Sequence, residues 1–62
     1  MTTQERVKAH IEKKGWSQQE FADAAGIGQV SVSRILRGES VGPGIAIKLA
    51  RYFGLQPETL MK

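Results

Sequence analysis

The sequence predicts an all-α fold of five short helices, and three observations carry that prediction. Two stretches open with the Ser/Thr-x-x-Glu form, Thr2-Thr3-Gln4-Glu5 and Ser17-Gln18-Gln19-Glu20, in which a hydroxyl and a carboxylate satisfy free N–H groups at a helix start. Apolar residues recur at helical spacing, as in Val7 and Ile11 or Val32, Ile35 and Leu36. Glycine follows each periodic stretch where a left-handed residue would end the last turn. Helices are therefore expected near 3–14, 18–25, 29–37, 43–53 and 57–61, with no strand.

Sixty-two residues make one domain, 1–62, with a small core. A domain of this size buries only about 60% of its unfolded surface, so helix packing, with or without dimerisation, must supply its stability. There is no cysteine, which excludes disulfides and thiolate metal sites and fits a reducing compartment. The formal charge is +3 and the isoelectric point about 9.7, a basic balance compatible with nucleic acid or an anionic surface. No apolar run exceeds the three residues Ile45-Ala46-Ile47, too short to span a bilayer. The charged N-terminus lacks the apolar stretch of a signal peptide, so a soluble cytoplasmic protein is expected.

In the first helix, Val7 and Ile11 form the apolar stripe, which Ala9 and His10 widen in part. Lys13 and Lys14 fall in the last turn, where they are either a solvated helix end or a phosphate contact. His10 has no second histidine, cysteine or carboxylate at ligand spacing, so a surface or core-edge role is expected rather than a metal. Trp16 precedes the Ser17 cap and is placed to close a hydrophobic staple with Phe21. The competing role for Trp16, stacking on a base, has less to support it. Phe21, Ala22 and Ala25 share one face of the second helix, Gly26 stops it, and Ile27 plugs the turn.

Gly28 then caps a third helix whose apolar face is Val32, Ile35 and Leu36. Its opposite face carries Gln29, Val30, Ser33, Arg34 and Arg37, with no acid among them. A short helix, a glycine turn and a helix with amide and guanidinium groups outward form the helix-turn-helix pattern. After a loop over 38–42, Pro43 suits the first turn of a fourth helix. Ala46, Leu49, Ala50 and Phe53 face its core side, while Lys48 and Arg51 point away. Ile45, Ile47 and Tyr52 sit on the flanks, at the core edge or in a dimer seam, for which the end from Tyr52 to Met61 is the expected place. Gly54 ends this helix, and Gln56-Pro57-Glu58 begins a last short one that returns Leu60 to the core. The expected core is completed by Leu55.

The segment from Ser17 to Arg37 resembles the helix-turn-helix of the phage repressor and Cro family (lambda-repressor-like, XRE type), including related antitoxin repressors. Ala22 at the helix crossing, the turn Gly26, and Ile27, Val32 and Ile35 carry the match. Lys14-Gly15-Trp16-Ser17-Gln18 resembles the family's approach to the motif, and Ser33-Arg34-Ile35-Leu36-Arg37-Gly38 its exit. Ala46 to Gly54 resembles the fourth helix of antitoxins of the HigA type. The resemblance runs from about Val7 to Leu60.

That resemblance implies a sequence-specific regulator of double-stranded DNA, a repressor of phage, plasmid or toxin–antitoxin type. The second motif helix would lie in the major groove with the first across the backbone. Gln29 resembles the glutamine that reads adenine, with one hydrogen bond given and one accepted. Val30 stands where others carry a polar reader, and would touch a thymine methyl or merely fill space. Ser33 and Arg34 follow one turn later, and Arg34 can either fork onto guanine or hold a phosphate. Gln18 resembles the family's phosphate-clamping glutamine and could also brace Gln29, while Ser31 and Arg37 are further backbone contacts. Glu39 departs from the usual basic loop; it either repels the backbone or pairs with Arg37 to position it. A homodimer on half-sites about one helical turn apart is implied, with a toxin as partner if the antitoxin resemblance holds. DNA binding would place the protein on the nucleoid. The alternative is a protein-interaction adaptor of the same fold, favoured by Val30, Glu39 and the modest charge. Catalysis has no nucleophile–base pair, metal cluster or phosphate loop to rest on, and no cofactor is implied.

Overall fold

The computed structural model describes residues 2–56, which form α1 (Thr3–Lys14), α2 (Gln18–Ala25), α3 (Gln29–Leu36) and α4 (Pro43–Phe53), with no strand among the described residues. The expected fifth helix near 57–61 lies outside the described residues, as does Leu60, so the described fold has four helices.

Both capping boxes form. Thr2 Oγ1 accepts from Glu5 N–H at 3.1 Å while Thr2 N–H donates to Glu5 Oε1 at 2.9 Å. Ser17 Oγ accepts from Glu20 N–H at 3.1 Å, and Ser17 N–H donates to Glu20 Oε1 at 2.8 Å. Each reciprocal pair satisfies a free donor at a helix start.

Glycines at positive φ end α1, α2 and α4, and in each case the N–H of the next residue reaches back five residues. Trp16 donates to the Ile11 carbonyl at 3.1 Å, Ile27 to Ala22 at 3.0 Å and Leu55 to Ala50 at 2.8 Å. All three residues are apolar and pack on or in the core, so each stop also turns a side chain inward. Helix α3 closes at Leu36, one residue earlier than expected, because Arg37 is its C-cap with φ −86° and ψ 0°. Gly38 (φ +85°) is then the left-handed residue, and Glu39 N–H donates to the Arg34 carbonyl at 3.1 Å.

The core is a single cluster of Val7, Phe21, Ala22, Ala25, Ile27, Val32, Ile35, Ala46, Leu49 and Ala50. Ile11, Trp16, Leu36, Phe53 and Leu55 are half-buried at its edge, joined by Val41, Ile45 and Tyr52. Helix α3 packs against both α1 and α2. Gln4, exposed on α1, strengthens the first of these junctions by donating its amide to the Leu36 carbonyl at 2.8 Å. That carbonyl is among those left free at a helix end.

His10 is a core-edge residue. Its Nε2 and the Tyr52 hydroxyl share a hydrogen bond of 2.7 Å, tying α1 to α4. Its ring lies edge-on to Trp16, Phe21, Tyr52 and Phe53, with centroids 5.2–5.7 Å apart. The staple between Trp16 and Phe21 is thus bridged by an imidazole. Burial, then Lys14 and Lys13, hold the His10 pKa below its ordinary value. Lys14 Nζ stands 5.8 Å from the Trp16 ring centroid, a cation–π contact at the surface end of this cluster.

Candidate nucleic-acid interface

Helix α3 buries Val32 and Ile35 completely or nearly so, at 0% and 3% exposure, and that fixes which residues face outward. Gln29, Val30, Arg34 and Arg37 are all exposed. Val30 is 65% exposed, the most open large apolar side chain among the described residues. Gln29 and Arg34 make no side-chain hydrogen bond or ion pair within the described residues. Their polar groups are available to a partner.

Gly28 has no side chain with which to cap α3, so the first-turn N–H groups of that helix receive no capping bond. Free N–H groups and a partial positive charge therefore accompany Gln29 and Val30 at the exposed helix start. The start of α2 differs. Its capping box occupies two donors and sets the Glu20 carboxylate there, which weakens the attraction for a phosphate.

Ser33, expected among the base-facing residues, is half-buried on the α2 side of α3. Its hydroxyl donates to Gln18 Oε1 at 2.8 Å. Gln18 is accordingly braced by Ser33 and makes no hydrogen bond to Gln29. Ser31 is half-buried on the other flank, lining a shallow pocket of ≈ 80 Å³ with Arg34, Ser40, Val41, Gly42 and Ile45. Arg37 Nε lies 3.1 Å from Glu39 Oε2, and both side chains are more than half exposed. An exposed pair of this kind contributes at most about 1 kcal/mol, so Arg37 is positioned by Glu39 but not locked.

The structure thus brings Gln29, Val30, Arg34 and Arg37 to one open surface, with Gln18 and Ser31 at its flanks and Ser33 turned inward. A separate open groove of ≈ 380 Å³ between the end of α2 and α4 is lined by Ala24, Ala25, Gly26, Lys48, Arg51 and Tyr52. None of the expected DNA-facing residues borders it.

Two helices joined across a glycine turn, the second presenting an acid-free outer face, make a helix-turn-helix module. The family model described as Helix-turn-helix matches residues 7–60, and the chain belongs to that family, the Cro/C1-type (XRE) proteins, which are DNA-binding transcription regulators. No curated protein and no solved structure matched the chain. No helix among the described residues is long and apolar enough to cross a membrane.

Proposed function

We propose that this chain is a sequence-specific repressor that binds double-stranded DNA with α3 in the major groove. The observation that carries this reading is the exposed face of Gln29, Val30, Arg34 and Arg37, held by a helix whose other side buries Val32 and Ile35 in the core. In that pose Gln29 pairs with adenine, Val30 rests on a thymine methyl and Arg34 forks onto guanine. Gln18, Ser31 and Arg37 hold the phosphates on either side. Val30 supports contact over mere space-filling, because it is open to solvent.

The protein acts as a homodimer on paired half-sites, since one module makes too few contacts for tight selection. Ile47, 45% exposed on α4, supports a seam at that helix. The resemblance of residues 46–54 to the fourth helix of HigA-type antitoxins supports a repressor of the phage, plasmid or toxin–antitoxin kind, with a toxin as its protein partner. Such a regulator works in the cytoplasm, on the nucleoid.

Selection of bound sequences from a random duplex pool tests this, followed by affinities at several salt concentrations. The expected outcome is an enriched two-fold motif with half-sites about one helical turn apart, bound with log affinity falling linearly in log salt. No enrichment and no salt-dependent binding would give the adaptor reading the lead.

A further inference from the structure

The Ser33–Gln18 hydrogen bond crosses from α3 to the first residue of α2, and both side chains are half-buried around it. We propose that Ser33 is a positioning residue for the DNA backbone contact, turning the Gln18 amide so that its NH₂ end faces the phosphate. This rests on the DNA-facing assignment of α3 above.

A carboxamide has two unlike ends: the oxygen only accepts hydrogen bonds and the nitrogen only donates them. A phosphate oxygen carries charge and lone pairs, so only the NH₂ end makes a favourable contact, and the oxygen end repels it. The terminal torsion of glutamine is broad, so an unheld amide presents either end. The Ser33 hydroxyl holds one of these two orientations. Its single hydroxyl proton engages Oε1, and both Nε2 protons are left for a ligand. The orientation matters more here than at an ordinary helix start. Glu20 places a carboxylate at the same end of α2, so a misturned amide would add a second repelling oxygen. Ser33 therefore contributes to affinity through Gln18 rather than by touching a base.

A double-mutant cycle separates the two roles. Ser33→Ala is expected to weaken binding to every duplex by a similar factor, on the order of two- to tenfold, with the base preference unchanged. Ser33→Thr, which keeps the hydroxyl, is expected to restore affinity. Gln18→Ala is expected to lose at least as much as Ser33→Ala, and the double variant no more than Gln18→Ala alone, because the serine acts only through the amide. Melting curves must show all variants folded. If Ser33→Ala relaxes preference at one base pair, or if its loss adds to that of Gln18→Ala, Ser33 reads a base and the proposal is wrong while the DNA-binding assignment stands. If the unaltered protein binds no duplex, both fall.

Discussion

Replacing Ala22 by leucine tests the packing that holds α3 in place. Ala22 is 1% exposed on α2, in one cluster with Phe21 and Val32 at 0% and Ile35 at 3%. Exchanging a methyl for an isobutyl group there adds three carbon atoms to a filled cluster. Overpacking of a filled core costs about 1–3 kcal/mol. For a domain this small each kcal/mol lowers the melting temperature by about 4–8 °C, so a drop of about 4–24 °C is expected. Ala24→Leu is the control: Ala24 is exposed on the same helix, and its substitution should stay within about 0.5 kcal/mol. Thermal denaturation followed by circular dichroism reads both. If Ala22→Leu melts where Ala24→Leu does, the small residue is not what sets the approach of the two helices.

Gly26 (φ +74°) has nothing within 4 Å of where a Cβ would stand, so substitution there meets backbone strain and no clash. Gly26→Ala should cost about 1–2 kcal/mol, and Gly26→Asn less, since asparagine tolerates the left-handed region; equal melting curves for the three proteins would contradict this. For His10, the folded pKa lies below the unfolded value of about 6.5, so the unfolded chain binds more protons between the two. Stability is therefore full above about pH 6.5 and declines as pH falls through that value toward the folded pKa. Melting temperatures across about pH 8 to 5 should show this decline, and His10→Gln should flatten it; an unchanged profile in that variant would place the titration elsewhere.

The helices were legible because their signals are local. Thr2 with Glu5 and Ser17 with Glu20 are capping boxes within four residues of sequence, and Gly15, Gly26 and Gly54 are stops that any left-handed turn favours. The end of α3 slipped by one residue because Gly38, not Arg37, takes the positive φ. Contacts between distant elements were not legible. Gln4 reaching Leu36, and His10 meeting Tyr52, join residues that no spacing rule relates. Val41, in the loop before α4, packs at the core edge, a contact that an apolar residue outside a periodic run does not signal.

At the interface, the outer face of α3 followed from helical period alone for Gln29, Val30, Arg34 and Arg37. Ser33 did not. It lies where the outer face meets α2, and only the position of Gln18 decides which way its hydroxyl turns. Glu39 pairs with Arg37 across Gly38, which takes a positive φ.

The central claim, that α3 reads DNA, is tested most directly by the affinities of Arg34→Ala and Arg37→Ala for preferred and scrambled duplexes at several salt concentrations. Both arginines are exposed and leave the buried face of α3 untouched, so both variants should remain folded. Arg34→Ala should lose about 1–3 kcal/mol on the preferred site and relax the preference at one base position. Arg37→Ala should weaken every duplex alike, with the slope of log affinity against log salt smaller by about one. Uniform losses from both would make Arg34 a second clamp and leave selection to Gln29, Val30 and DNA shape. Folded variants that bind every duplex as tightly as the unaltered protein would contradict the claim that this helix faces DNA.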